Sequence, residues 1–244
     1  MSYCLGIKTR FGLVMASDSR TNAGHDQVNT CRKMHLFTRP GERVFVVLTT
    51  GSLSLTQSVV TLLRRDFEQG QGLAKASTMY DAARVVGEQV RRVDTLDRAA
   101  LERDGLHFNV NLILGGQIGP EAHNLYLIYP QGNPLEVTEE SPYLQIGESK
   151  YGRPILDRGI RYDRTTLEEA ARFALISLDS TMRSNVTVGP PIDVLLYEAD
   201  ELRISRVRRF TAEDPDLRGI QGQWEQALRK AVQELPQVKF EREG

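Results

Sequence analysis

The run Leu13-Val14-Met15-Ala16-Ser17 constrains the fold most. It has strand length and is almost continuously apolar, so both of its faces need cover. Arg43-Val44-Phe45-Val46-Val47-Leu48-Thr49 is a second such run, strongly β-branched. Strands of this kind belong in the interior of a layered structure.

The rest of the chain supplies the cover. Residues 3–8 precede the first run across Thr9-Arg10-Phe11-Gly12, a short gap with a glycine that predicts a β-hairpin. Residues 21–30 are polar, contain Gly24 and read as a loop. A strand follows over 32–37, then the run at 43–49. From Ser52 the period becomes helical, through Leu55, Val59, Leu63 and Phe67, with Ser52 or Ser54 as N-cap. Gly70-Gln71-Gly72 ends it, and a second helix is expected over 77–103. Strands are expected over 108–114, closed by Gly115-Gly116, and over 124–129, 135–138 and 143–146. A weak helix over 149–159, interrupted by Gly152 and Pro154, and a strong one over 165–182 follow. Strands over 192–198 and 202–207 come next, and a helical tail at about 213–244 carries Trp224, Ala227, Leu228 and Val232.

The order is strands, two helices, strands, two helices, strands, with no linker or low-complexity segment. One α+β domain over 1–244 satisfies it: a four-layer αββα sandwich, two antiparallel sheets face to face under helix pairs. Its inner strands touch a sheet on one side and helices on the other.

Charge and composition narrow the function. The net charge of −1 gives no reason to expect a nucleic-acid or membrane-surface partner. Cys4 and Cys31 have neither metal-ligand spacing nor a disulfide framework, which suits a reducing cytoplasm. No apolar run approaches a membrane span, and no signal peptide is evident. Neither a metal nor a cofactor is expected.

The chemistry sits at the first strand. Met1 is followed by Ser2, a small residue that favours methionine removal. Removal places a free α-amine and a hydroxyl on one residue. Such an amine has a pKa near 8, so roughly a tenth is unprotonated at pH 7, and an N-terminal amine is a known activator of a hydroxyl nucleophile. The pattern points to amide-bond hydrolysis with Ser2 as nucleophile. The hairpin brings Asp18 back beside Ser2, and Lys33 is the cation that Asp18 would hold in place. Gly51, between a strand and a helix, allows the close approach that an oxyanion donor needs.

These residues carry a resemblance. The stretch from Ser2-Tyr3-Cys4-Leu5-Gly6-Ile7 to Gly12-Leu13-Val14-Met15-Ala16-Ser17-Asp18-Ser19-Arg20 is similar to the opening of proteasome β-type subunits. Arg32-Lys33-Met34-His35, Tyr151-Gly152-Arg153-Pro154-Ile155-Leu156-Asp157-Arg158 and Leu178-Asp179-Ser180-Thr181-Met182-Arg183-Ser184-Asn185 resemble the bacterial proteasome-related family called Anbu. The resemblance implies an N-terminal nucleophile hydrolase fold, a homo-oligomer (ring or helical multimer) and a peptide substrate, and leaves any unfoldase partner unspecified. It implies Ser2 as nucleophile, Asp18 and Lys33 as activators and Gly51 N–H as oxyanion donor. It further implies Asp179 as a carboxylate near the nucleophile, with Thr21 and Asn22 in the substrate groove. The chain departs from the wider family in having serine where threonine is usual. It also has Glu148 directly after Gly147, with Ser149 only second, which leaves open which of the two attends the amine. A small-molecule amidase on the same fold and a non-catalytic ring subunit stay open as alternatives.

Overall fold

The computed structural model describes residues 2–22 and 28–240, without the side chains of Asn22 and Val28. In chain order the elements are β1 (Tyr3–Thr9), β2 (Gly12–Ser17), β3 (Arg20–Asn22), β4 (Val28–Thr30), β5 (Met34–Arg39), β6 (Arg43–Gly51), α1 (Leu53–Glu68), α2 (Met79–Arg103) and β7 (Val110–Ile118). They continue as β8 (Asn124–Ile128), β9 (Pro134–Glu136), β10 (Tyr143–Gly147), α3 (Arg153–Gly159), α4 (Leu167–Ser184), β11 (Ile192–Glu198), β12 (Arg206–Phe210) and α5 (Pro215–Gln233).

The strands make two five-stranded sheets, in the orders β10-β1-β2-β11-β12 and β5-β6-β7-β8-β9, and β3 pairs with β4 apart from them. The apolar runs explain why these sheets stack. On β2, Leu13 and Met15 enter the layer between the sheets, while Val14 and Ala16 enter the layer under α3 and α4. On β6, Val44, Val46 and Leu48 face the other sheet, and Phe45 and Val47 face α1 and α2. Each strand thus buries both faces, and the chain has the expected αββα architecture. The helices start where the sequence provides caps. Thr78 and Thr166 each close a capping box, with Asp81 and Glu169 respectively.

Several boundaries differ from expectation. The last strand lies at Arg206–Phe210, not 202–207, because the preceding turn is held by side chains of β7 in the opposite sheet and of β11. Gln117 Oε1 accepts the Asp200 N–H at 2.9 Å, and Tyr197 Oη accepts the Leu202 N–H at 3.3 Å. Pairing with β11 begins only at Leu196↔Arg206. β7 does not stop at Gly115-Gly116. A side chain at Gly116 would stand 2.0 Å from the Val44 carbonyl oxygen, so the glycine admits the neighbouring backbone instead of ending the strand. The stretch 21–30 holds parts of the β3–β4 hairpin, whereas residues 23–27, Gly24 among them, lie outside the described residues. Ser52 holds the N-cap position of α1, as expected, but makes no side-chain cap bond; its Oγ shares a hydrogen bond with Ser54 Oγ at 3.2 Å. The helix expected from 149 starts at Arg153, after Gly152. Among the described residues no helix is long and apolar enough to cross a membrane.

Candidate active site

The β1–β2 hairpin sets the first two partners. Its register runs from Thr9↔Gly12 to Cys4↔Ser17, which leaves Tyr3 opposite Asp18. The Asp18 N–H donates to Tyr3 O at 3.1 Å, and the Tyr3 N–H donates to Asp18 Oδ1 at 3.0 Å. Asp18 is wholly buried and also receives the Gly189 N–H on Oδ2 at 3.3 Å. Lys33, just before β5, completes the arrangement. Its Nζ donates to Asp18 Oδ1 at 2.6 Å and to Arg20 O at 2.7 Å. Burial pushes the Asp18 carboxyl up from its ordinary range, against the pull of the Lys33 ammonium and the Tyr3 and Gly189 N–H groups.

Ser2 is fixed from the other side by β10. Gly147 pairs with Tyr3, and its φ of +84° turns the chain so that the Glu148 N–H donates to Ser2 O at 2.8 Å. A non-glycine residue rarely adopts that conformation. The Tyr3 ring anchors the strand from behind, where its Oη shares a hydrogen bond with Ser177 Oγ of α4 at 2.7 Å. Burial raises that phenol to a pKa of about 12, so it stays protonated.

Gly51 ends β6 beside Ser2. The Ser52 N–H donates to Asn109 O at 2.9 Å, on the β7 side. The Thr49 N–H donates to Lys33 O at 2.9 Å, on the opposite side. N–H groups alternate along a strand, so that of Gly51 lies on the Lys33 side, where the β5 pairing has already stopped at Met34↔Leu48.

Two hollows meet at Ser2, Thr21, Thr50, Gly51 and Leu53. One, of about 780 Å³, continues along Asn109, Asn111, Gln145 and Gly147. The other, of about 450 Å³, continues along Lys33, His35, Thr56 and Arg64. His35 is pushed down to a pKa of about 4 by burial and by Arg64, so it is neutral at pH 7. Cys4 is buried between the sheets with Sγ 3.7 Å from Thr49 O, and burial pushes its thiol up, which leaves it unreactive.

The structure therefore brings Ser2, Asp18, Lys33, Gly51 and Thr21 together. Asn22 pairs through its backbone with Val28, and the groove role expected of its side chain lies outside the described residues. Two expectations need correction. Asp179 spends both oxygens elsewhere: Oδ2 accepts from Arg183 Nε at 3.0 Å, and Oδ1 accepts from Gln221 Nε2 at 2.8 Å. The first bond lies within α4 and the second ties α4 to α5, and Asp179 lines a separate hollow with Met182 and Pro190. Ser149 lines neither hollow beside Ser2; its carbonyl accepts the Arg153 N–H at 3.0 Å and opens α3.

Glu148 meets Ser2 through its backbone N–H. Its buried carboxylate accepts from Asn185 Nδ2 at 2.9 Å, and Asn185 Oδ1 is held by Thr187 N–H at 3.0 Å and Thr187 Oγ1 at 2.6 Å. Asn185 lies just past α4, six residues beyond Asp179, and nothing in its local pattern marks it. The sequence signal was Glu148 itself, an acidic residue directly after a glycine at a strand end. Among the described residues no cluster of three or more His, Cys, Asp or Glu could hold a metal ion.

A sequence model of the proteasome subunit family matches residues 2–196. The proteasome subunit beta of Haloferax volcanii is 27% identical over 212 residues, spanning 84% of this chain and 77% of that protein. Three solved structures are more similar. Anbu (ancestral beta-subunit) from Yersinia bercovieri is 46% identical with a TM-score of 0.90, over 98% of this chain and all (100%) of that one. The Gly-1 mutant of Anbu from Hyphomicrobium sp. strain MC1 is 44% identical with a TM-score of 0.92, at the same coverage of 98% and 100%. The helical assembly of the Anbu complex from Pseudomonas aeruginosa is 43% identical with a TM-score of 0.92, over 97% and 98% of the two chains. With its sequence and fold matched over nearly its whole length, this chain belongs to the proteasome subunit family and, within it, to the bacterial Anbu proteins.

Proposed function

We propose that this chain is a peptidase whose nucleophile is Ser2, exposed when Met1 is removed. The observation that carries the reading is the position of Ser2 at the junction of two hollows, with the buried Lys33–Asp18 pair on one side and the Gly51 edge on the other.

The reaction follows from those groups. The neutral α-amine of Ser2 takes the Oγ proton, directly or through one water, as Oγ bonds to the carbonyl carbon of the peptide. The carbonyl oxygen gains the charge, and the Gly51 N–H donates to it; one such donor is worth roughly 10²–10³ in rate. The C–N bond breaks as the proton passes from the Ser2 ammonium to the leaving amine. Water then cleaves the acyl ester, with the same amine as base. The Lys33 ammonium lowers the cost of negative charge at Oγ, and Asp18 holds Lys33 in place. Hollows on both sides of Ser2 leave room for chain in two directions, which favours a peptide over one compact metabolite. By analogy with the Pseudomonas aeruginosa assembly we further propose that the active form is a homo-oligomer.

An intact mass of the purified protein reads Met1 removal. Processed protein is then given internally quenched peptides beside its Ser2→Ala variant. Turnover lost in the variant, at unchanged fold and assembly, is the expected result. Undiminished turnover without the hydroxyl overturns the assignment.

A further inference from the structure

The smaller hollow has one sign of charge. The charged side chains lining it are Arg32, Lys33 and Arg64, all cationic. Lys33 is committed to Asp18. Nearby Arg65 and Arg209 are paired with Asp66 and Asp193, whereas Arg32 and Arg64 make no ion pair among the described residues. Arg64 is held in place by the sheet: its guanidinium lies over the Phe37 ring, 5.6 Å from the centroid. A third hollow of about 340 Å³ adjoins and shares Arg32, His35 and Arg64, so the cations stand where two recesses meet. Much of the remaining lining is polar, with Thr49, Gln57 and Thr61 offering hydroxyls and an amide, while the Thr56 hydroxyl donates to its own helix backbone.

We propose that this hollow selects an acidic side chain, Asp or Glu, beside the scissile bond, and that Arg64 reads it. A guanidinium is a planar fork that matches a carboxylate through two parallel N–H donors. Preorganisation over Phe37 reduces the side-chain entropy lost on pairing. A cationic lining also repels lysine and arginine side chains, which makes the hollow selective as well as attractive. The inference rests on Ser2 as the nucleophile for its kinetic consequences, though the recognition itself does not need turnover.

The test uses the full-length processed protein and matched quenched peptides that differ only in Glu, Gln or Lys on either side of the cleaved bond. At low salt the Glu peptide should exceed the Gln peptide by about tenfold in kcat/KM, the low end for a hydrogen bond to a charged group. The ratio should shrink at high salt. Arg64→Ala should bring it within about threefold of unity. Arg65→Ala, one residue along the same helix but outside the hollow, should keep it. Equal rates for Glu and Gln peptides, or a preference untouched by Arg64→Ala, overturn the specificity and leave the hydrolase reading standing. If protein with Ser2 first cleaves none of the peptides, the hydrolase reading fails on its own. Fluorescence anisotropy of labelled peptides on the Ser2→Ala protein then decides the hollow: about tenfold tighter binding of the Glu peptide upholds it, and equal binding overturns it.

Discussion

Replacing Gly147 with alanine asks whether the backbone around Ser2 is what places the proposed nucleophile. An ideal Cβ at this position would stand 2.0 Å from the Ser2 carbonyl oxygen and 2.8 Å from its carbon. Real Cβ contacts essentially never fall under 3.0 Å, so the two strands must part locally by about 1 Å. That stretches the 2.8 Å bond from Glu148 N–H to Ser2 O beyond hydrogen-bonding range, a loss of about 1 kcal/mol. The left-handed backbone costs a further ~1–2 kcal/mol once a Cβ is present. Together the variant should lose about 2–3 kcal/mol of stability. The rest of the β1–β10 ladder, from Cys4↔Ile146 to Ile7↔Tyr143, is untouched, so the chain still folds.

Activity should fall by far more than this stability loss explains. A shift of about 1 Å in a reacting group can cost on the order of 10² in rate. Urea denaturation gives the first quantity. Single-turnover cleavage of a quenched peptide, well below the unfolding transition, gives the second. A variant that loses the expected stability yet keeps its rate within about threefold would refute the claim that Gly147 and Glu148 position Ser2. A variant with unchanged stability would refute the contact argument itself.

Two further substitutions probe the interior. Lys33→Met leaves the wholly buried Asp18 carboxylate with only its backbone donors, and breaking a buried pair costs roughly 3–5 kcal/mol. Burial already raises Asp18 above its unfolded value near 4, so the folded variant binds a proton that the unfolded chain releases; urea melts should show the loss largest at pH 8 and relieved towards pH 5, and a deficit independent of pH would count against an ionised Asp18. Gln117→Leu strands the Tyr197 hydroxyl, which donates to Gln117 Oε1 at 2.6 Å, and the Asp200 N–H; at the end of β7 opposite Gly51↔Val110, it should cost roughly 2–4 kcal/mol while peptide turnover stays unchanged.

The fold was legible where periodicity and burial agree. Leu13 to Ser17 needed cover on both faces, and β2 receives it from α4 and from the opposite sheet. Asp18 was legible because a two-residue hairpin leaves little freedom of register, so its place beside Tyr3 follows from counting. The misplacements share one cause, which is that a partner distant in sequence decides the local conformation. β12 starts late because Gln117 of the other sheet holds Asp200. β7 runs through two glycines because Val44 needs the room. Asp179 was misassigned because Gln221, in the tail, claims one of its oxygens, while Asn185 reaches Glu148 only after the chain has left α4. None of these pairings leaves a periodic trace in the segment it controls.

The bonds that hold Ser2 also bear on how activation would work. Its carbonyl accepts from Glu148, and the next amide, that of Tyr3, donates to Asp18. Both contacts lie on the C-terminal side of Ser2 and make no use of residue 1. The Lys33–Asp18 pair and the Gly51 edge are likewise built from residues later in the chain. Removing Met1 therefore asks for no rearrangement of the groups around the hydroxyl. It changes the chemistry of one nitrogen, from an amide with no useful basicity to an amine that titrates near pH 8. On this argument the switch is chemical and not conformational. On the proposed reading, the scaffold holds Ser2 in place in advance, and processing would supply the base.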